Sequence, residues 1–302
     1  MRILVTGASG WIGSASVKEL ISAGHHVLGL ARNDESAAKI ANLGAEVVRG
    51  SLDDLASLRG AVSLAEGVVH LGYNHDFSQM AAAAQIDRAA IEAFADVLQG
   101  TGGPLLIASG TLGLAPGRVG TEEDMPSAGV HPRSANAVYT LGLADRGIRS
   151  MVVRFAMTVH GAGDPAFVAM LARIAREKGI SGYIGEGQNR WPAVNRLDAG
   201  KLVQVAIDKA TPGSVLHAVA EEGVTTRDIA TALGQTLDVP VQSMPHDRAQ
   251  SHFDWLGMFF GADAPASSAR TRSLLGWHPT HEALLEDIAA GHYPGNSGTN
   301  RL

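Results

Sequence analysis

Three glycines at intervals of three residues, Gly7, Gly10 and Gly13, constrain the fold of this chain more than any other feature. They follow a short apolar run at 3–6 and precede a stretch with helical periodicity at 14–23. Where a strand turns directly into a helix, the unpaired amides of the first helical turn face the turn. Glycines let the backbone there bend tightly and lie close to an anion, so the pattern predicts a diphosphate-binding turn.

The alternation of strands and helices continues along the first half of the chain. Parallel strands joined by right-handed crossovers form a doubly wound α/β sheet with helices on both faces. After Gly161 the rhythm changes, which indicates a smaller, mixed C-terminal lobe. We therefore predict a sheet domain at 1–160 plus about 192–221, and a substrate lobe at about 161–191 and 222–302. Strand-like runs lie at 27–31, 47–48, 68–71, 105–108, 151–155 and 215–219, and helical stretches at 77–99, 135–146, 198–209 and 226–237.

Composition restricts the partners of the chain. Lys and Arg number 24 against 30 Asp and Glu, a formal charge of −6, which disfavours nucleic acid and anionic membranes and favours a small-molecule substrate. The 302 residues contain no Cys, which excludes disulfides and thiolate metal sites. The chain has neither a signal-peptide pattern nor an apolar run long enough to span a membrane, so we expect a cytoplasmic protein.

The glycine turn lies in the segment Val-Thr-Gly-Ala-Ser-Gly-Trp-Ile-Gly at 5–13, which resembles the extended short-chain dehydrogenase/reductase superfamily, in its NAD-dependent epimerase/dehydratase branch. Phe155 stands where these proteins usually carry Pro. The resemblance implies a Rossmann-type sheet, a dinucleotide cofactor and a second lobe that shapes the substrate pocket. Further matching segments follow in the expected order at 69–72, 106–111, 153–155, 159–161, 194–198 and 274–279.

The resemblance also implies a set of cofactor-binding residues. Among them, the residues at the end of the second strand distinguish NAD from NADP. Ala31 occupies the position where NAD-binding members carry Asp, and Arg32 next to it offers a guanidinium suited to a 2′-phosphate. NADP is therefore favoured, while NAD stays open because a shift of the loop would let Asp34 reach the ribose. The expected cofactor-binding residues are Gly7, Ser9, Gly10, Trp11, Ile12, Gly13, Arg32, Ser51, Leu52, Leu71, Gly72, Ser109 and Arg133.

The chain lacks the Tyr-x-x-x-Lys pair that supplies a proton in these enzymes. None of its four Tyr is followed by Lys at the fourth position, and counting along the resemblance puts Gly129 and Arg133 at the two sites. An Arg there can hold the nicotinamide ribose, but its very high pKa makes it a poor proton relay.

Other side chains are candidates for the missing acid. The residues that we expect to act in catalysis are Thr111, as the hydroxyl that holds the substrate oxygen, Tyr73 and Arg133, with Ser109 as the alternative to Thr111. Tyr139 faces away from the site by its helical position. His75, His131 and His160 are further acid/base candidates.

The sequence therefore favours an NAD(P)-dependent oxidoreductase acting on a carbonyl or alcohol of a small, fairly apolar molecule. Two alternatives stay open: an NADP(H)-binding sensor or scaffold without catalysis, and a sugar epimerase or dehydratase that retains NAD. No His-x-x-x-His pair with a carboxylate partner occurs, so we expect no metal site. The resemblance also implies a homodimer as one assembly, formed through the helices at 77–99 and 135–146. The second lobe carries aromatic residues that line the pocket or form its core, Trp191, Trp255, Phe259 and Phe260.

Overall fold

The computed structural model describes residues 1–74, 76, 79–126 and 132–293, with residue 132 described by its backbone alone. Strands and helices alternate through the first half of the chain, as the hydrophobic pattern predicts. The strands are β1 (Arg2–Thr6), β2 (His26–Ala31), β3 (Glu46–Arg49), β4 (Gly67–His70), β5 (Pro104–Gly110), β6 (Arg149–Phe155), β7 (Thr158–His160), β8 (Ser181–Ile184), β9 (Arg190–Asn195), β10 (Ser214–Ala218), β11 (Glu221–Thr225) and β12 (Val241–Met244).

The helices differ from the predicted ranges mainly at their ends. The helix predicted at 77–99 is α4, and the one predicted at 135–146 is α5 followed by a 3-10 helix at Leu143–Arg146. The α-helices are α1 (Trp11–Ser22), α2 (Asp34–Asn42), α3 (Leu55–Ser63), α4 (Met80–Leu98), α5 (Pro132–Gly142), α6 (Phe167–Lys178), α7 (Arg196–Lys209), α8 (Thr226–Leu237), α9 (Ala249–Phe253), α10 (Gly257–Phe260), α11 (Ala269–Leu275) and α12 (Leu284–Ala289).

In the described residues, a seven-stranded parallel sheet runs in the order β3-β2-β1-β4-β5-β6-β10. The predicted doubly wound α/β fold is thus confirmed. The chain proceeds outward from β1 in one direction and then resumes at β4 on the other side, so the connections diverge between these two strands. Sheets of this kind bind ligands in the crevice at that point, beyond the carboxyl ends of the strands.

Successive side chains of each strand lie on opposite faces of the sheet, and both faces are apolar. Ile3 and Val5 belong to the core cluster that contains residues of α1 and α7, whereas Leu4 belongs to the cluster with residues of α3 and α4. Gly200 lets α7 approach α1 closely, because a Cβ at this position would lie 2.8 Å from the carbonyl carbon of Ala15. Burial on both faces explains why these strands are almost continuously apolar.

A second core lies in the C-terminal part of the chain, next to a small sheet of β7, β9 and β11. Val159 and Val194 on this sheet join the core of the large sheet, whereas Trp191 and Ala193 join the second core. The small sheet therefore separates the two cores. The exact division of the chain into two domains stays a prediction. Among the helices of the described residues, none combines the length and apolarity that crossing a lipid bilayer requires.

A buried polar cluster ties the C-terminal part of the chain to β7. The carboxylate of Asp287 accepts hydrogen bonds from His160 Nδ1 at 3.1 Å and from the Tyr293 hydroxyl at 2.9 Å. Asp164 lies close by and is 7% exposed. Burial raises the pKa of Asp164 to about 6, and this outweighs the hydrogen bond from the Ala166 amide.

The raised pKa of Asp164 predicts a pH-dependent stability. The folded chain keeps a proton that the unfolded chain, with a usual Asp pKa of about 3.9, has already released. The stabilisation by this group is therefore complete below about pH 4 and is lost as the pH rises through about 6. Asp164→Asn does not titrate, so its unfolding free energy relative to the parent should rise by about 3 kcal/mol between pH 4 and pH 7. Urea unfolding at several pH values measures this difference, and a constant difference would contradict the assignment.

Candidate active site

The glycine turn lies at the carboxyl end of β1, packed against the segment that follows β4. Gly7 has a φ of +68°, and a Cβ there would lie 2.7 Å from the amide nitrogen of Gly72. A Cβ at Gly13 would lie 2.0 Å from the Gly7 carbonyl oxygen. The Gly10 amide donates to the same oxygen at 2.9 Å. The turn therefore has no room for side chains at Gly7 and Gly13, and its backbone forms the surface of the crevice.

Helix α1 begins at Trp11 with an end suited to an anion. Within the described structure, no side chain caps its first turn, and this turn contains no acidic residue. The helix dipole and the unpaired amides both favour a negative charge there. Trp11 is held in place by a hydrogen bond from its Nε1 to the Val159 carbonyl at 2.8 Å and by the Arg196 guanidinium, 4.3 Å from its ring. Ser9 and Ile12 are half-buried beside it.

The ends of β2 and β3 lie where the adenosine of a dinucleotide is expected. Ala31 is buried in the core, whereas Arg32 is exposed. Asp34 accepts a hydrogen bond from Arg49 at 2.5 Å, which engages the carboxylate that could otherwise meet a ribose. Ser51 and Leu52 are half-buried after β3, and the Leu52 side chain lies close to Gly72.

Two predicted catalytic residues follow neighbouring strands. Thr111 follows β5, is 2% exposed, and its Oγ1 has no hydrogen-bond partner in the part of the chain that the structure describes. Tyr73 follows β4 and Leu71, and the Arg133 guanidinium from α5 lies 4.0 Å above its ring. Because β4 and β5 are adjacent and parallel, both segments leave the sheet at the same edge. Ser109 lies at that edge as well, half-buried near the end of β5.

The electrostatic surroundings keep Tyr73 protonated. Burial raises its pKa, the negative charge of Asp87 adds to this, and the Arg133 guanidinium opposes it. A phenol with a pKa above its usual value of about 10 carries its proton at neutral pH. The phenol therefore has a proton available at neutral pH, and its raised pKa makes it a weaker acid than an ordinary tyrosine.

Next to Arg133 lies a buried polar network that was not predicted from the sequence. His70, at the end of β4, contacts Thr6 Oγ1 through Nδ1 at 2.7 Å and Asp87 Oδ1 through Nε2 at 3.2 Å. Asn136 on α5 donates to Asp87 Oδ2 at 2.7 Å. Arg133 Nε lies 3.8 Å from Asp87 Oδ1. The sequence signal was weak, since one polar residue on each of several separate elements gives no recognisable spacing.

Burial on its own favours the neutral form of Asp87. The hydrogen bond from His70, the charge of Arg133 and the hydrogen bond from Asn136 nevertheless hold the pKa of Asp87 below its usual value. The network therefore keeps a carboxylate charged at a position that is only 2% exposed.

The remaining candidates lie away from this edge or outside the described residues. The ring of Tyr139 lies 3.4 Å from the Arg88 guanidinium of α4, so it faces that helix. His160 is fully buried and bonded to Asp287. Trp191 and Phe260 are core residues, against which Trp255 and Phe259 pack half-buried. Gly129, His75 and His131 lie outside the described residues.

Comparison with known proteins places the chain among relatives that match along almost its whole length. It is 46% identical to "Uncharacterized protein C2A9.02" of Schizosaccharomyces pombe, over 97% of this chain and 100% of that protein. It is 44% identical to "Uncharacterized protein YLL056C" of Saccharomyces cerevisiae, over 97% and 99%. Residues 1–94 match the NmrA-like family. A shorter match, 40% identity over 105 residues, covers 31% of cinnamoyl-CoA reductase 1 of Oryza sativa.

Solved structures share the architecture of the whole chain at low sequence identity. The UDP-glucose 4-epimerase of Thermotoga maritima superposes with a TM-score of 0.76 at 20% identity, over 97% of this chain and 98% of that one. A dTDP-glucose 4,6-dehydratase of Streptomyces venezuelae, solved with NAD bound, has a TM-score of 0.76 at 17% identity, over 97% and 96%. The fold expected from the resemblance is thus confirmed. The chain belongs to one protein family with the yeast proteins C2A9.02 and YLL056C, and its fold is that of the extended short-chain dehydrogenases/reductases.

Proposed function

We propose that this protein is an NADP-dependent oxidoreductase that reduces the carbonyl group of a small, fairly apolar molecule. The observation that carries the proposal is the pairing of Tyr73 with Arg133 at the edge of the sheet where Thr111 keeps a buried hydroxyl. These groups can hold and protonate an oxygen. The turn of Gly7, Gly10 and Gly13, which we assign to the dinucleotide, lies at the end of β1, the strand adjacent to β4.

The residues of the turn fit a dinucleotide. A diphosphate needs close backbone approach and free amides, and a Cβ at Gly7 or Gly13 would fill the space that this requires. NAD is present in the solved dehydratase of the same fold, which supports a coenzyme of this class. Bound NADPH would supply a hydride for a carbonyl carbon.

The roles of the protein side chains follow from the charge that reduction creates. A carbonyl that accepts a hydride develops negative charge on its oxygen, and that oxygen needs a hydrogen bond and then a proton. We assign the hydrogen bond to Thr111 Oγ1 and the proton to the Tyr73 hydroxyl, which recovers its proton from solvent. Arg133 is assigned to the nicotinamide ribose, because its guanidinium stays charged and donates hydrogen bonds without giving up a proton.

A direct test follows the absorbance of NADPH at 340 nm with a panel of aldehydes and ketones of increasing apolar size. We expect turnover with members of this panel and a loss of about 100-fold or more in kcat/KM for Thr111→Val. Unchanged turnover in Thr111→Val would remove the role assigned to this hydroxyl. Tight NADPH binding in calorimetry without turnover of any panel member would favour the alternative function, a coenzyme-binding sensor, which the missing Tyr-x-x-x-Lys pair also favours.

The choice of coenzyme gives a second prediction. If Arg32 binds the 2′-phosphate, Arg32→Ala should raise the KM for NADPH about 10- to 100-fold, since a hydrogen bond to a charged group contributes about 1.5–3 kcal/mol. The KM for NADH, which lacks this phosphate, should change little. Arg59→Ala on α3 is the matched control, because Arg59 is also an exposed guanidinium and pairs with Asp96. Equal effects of Arg32→Ala on both coenzymes would contradict the assignment.

A further inference from the structure

We infer that Asp87 on α4 is a positioning residue of this site, which holds the Arg133 guanidinium over Tyr73 and links both to the dinucleotide turn. The inference rests on the proposed function and extends it to a residue that affects the site indirectly. Asp87 acts through Arg133, whose guanidinium lies 4.0 Å from the centre of the Tyr73 ring. Its carboxylate is therefore assigned no contact with substrate.

Because the Asp87 carboxylate is buried, its distance from the compensating charge strongly affects stability. Asp87 is 2% exposed, and the Arg133 side chain is 15% exposed. A charge removed from water is tolerated only when partners compensate it. Within the described network, Arg133 is the permanently charged group facing Asp87, with Nε 3.8 Å from Oδ1. Moving the Arg133 guanidinium away from the Asp87 carboxylate therefore costs free energy. This cost restrains the guanidinium at its position above the Tyr73 ring.

Asp87 is itself held in place from two sides. Asn136 donates through Nδ2 to Asp87 Oδ2 at 2.7 Å and to the Ala84 carbonyl at 2.9 Å, which ties α5 to α4. His70 Nε2 meets the other carboxylate oxygen at 3.2 Å. The carboxylate consequently has a fixed orientation, and Arg133 is positioned relative to a rigid partner.

The network also reaches the turn that would hold the coenzyme. The Gly72 amide donates to Thr6 Oγ1 at 3.0 Å, which leaves the Thr6 hydroxyl hydrogen for His70 Nδ1, 2.7 Å away. In this tautomer His70 Nε2–H donates to Asp87. Gly72 in turn packs against Gly7, where a Cβ would lie 2.7 Å from the Gly72 nitrogen. One continuous chain of contacts therefore joins the dinucleotide turn to Arg133 and Tyr73.

A double-mutant cycle between Asp87 and Arg133 tests the inference. Asp87→Asn alone should lower kcat about 100-fold, the cost of misplacing a reacting group by about 1 Å, with less than about a threefold change in the KM for the carbonyl substrate. In the Arg133→Gln background, Asp87→Asn should change kcat by less than about twofold, because Asp87 acts through Arg133. Asp96→Asn is the control, since Asp96 lies on the same helix but is 53% exposed and pairs with Arg59. Additive effects of the two substitutions on kcat would overturn the inference.

The coenzyme-free protein supplies a readout that does not depend on activity. The loss in the urea midpoint of unfolding for the double variant should be smaller than the sum of the two single losses, because each single substitution strands a buried partner. Additive midpoints would overturn the inference. If the midpoints are non-additive but the protein turns over no carbonyl, the proposed function is wrong, whereas the interaction between Asp87 and Arg133 is supported. Should Asp87→Asn not fold, Asn136→Ala, which removes one donor to Asp87, replaces it in the cycle with the same expected coupling.

Discussion

Replacing Tyr73 by Phe is expected to lower kcat for carbonyl reduction by about 10² to 10⁴, the usual contribution of a positioned acid. The ring and its contact with Arg133 are retained, so the dissociation constant of NADPH should change by less than about twofold. Stopped-flow absorbance at 340 nm and calorimetry measure the two quantities. A variant that keeps more than about a tenth of the parent kcat would exclude Tyr73 as the proton donor.

Tyr139→Phe is the matched control for this substitution. Tyr139 also lies against an arginine, Arg88, but on the side of α5 that faces α4. The Tyr139→Phe substitution should therefore leave kcat unchanged.

The surroundings of Tyr73 also predict how the rate depends on pH. Because they raise the pKa of the phenol, Tyr73 stays protonated between pH 6 and 9, and the rate of carbonyl reduction should not fall through this group over that range. Alcohol oxidation needs the phenolate and should become faster as the pH rises over the same range.

Replacing Gly13 by Ala is expected to weaken NADPH binding at least about 100-fold. The new Cβ would lie 2.0 Å from the Gly7 carbonyl oxygen, so the turn has to open and the amides move away from the diphosphate. Losing one or two charge-assisted hydrogen bonds of about 1.5–3 kcal/mol each accounts for a loss of this size. Calorimetry with NADPH and the purified variant measures it.

Gly60→Ala is the control for the glycine prediction. Gly60 lies within α3, and a Cβ there meets nothing within 4 Å. This variant should bind NADPH normally and be slightly more stable, because Ala favours a helix over Gly by about 1 kcal/mol. Circular dichroism establishes that both variants are folded. If Gly13→Ala is folded and still binds NADPH with the parent affinity, the dinucleotide turn has been assigned incorrectly.

Local sequence information accounted for most of the fold. The buried strands appear as short apolar runs, and the glycine turn is recognisable because strand, turn and helix are contiguous. The bounds of the helix Asp34–Asn42 were not predicted, since it is only nine residues long and buries only Ala37 and Ile40. Propensity and hydrophobic period act over a few residues, which is why they identify long elements well and short ones poorly.

The residues of the candidate site also fall into two groups, those that local sequence patterns identify and those that depend on contacts between distant segments. Gly7, Arg32 and Thr111 could be named from the sequence, because each lies directly after a strand whose end is visible in the hydrophobic pattern, and Gly13 could be named from its spacing to Gly7. Asp87 and His70 could not be named, because they are 17 residues apart and their contact exists only once α4 packs against the sheet. The sequence by itself determined the parallel sheet and its glycine turn through local patterning. Only the tertiary structure decided which buried charge faces Arg133, since electrostatic partners in a low-dielectric interior are set by packing between distant segments.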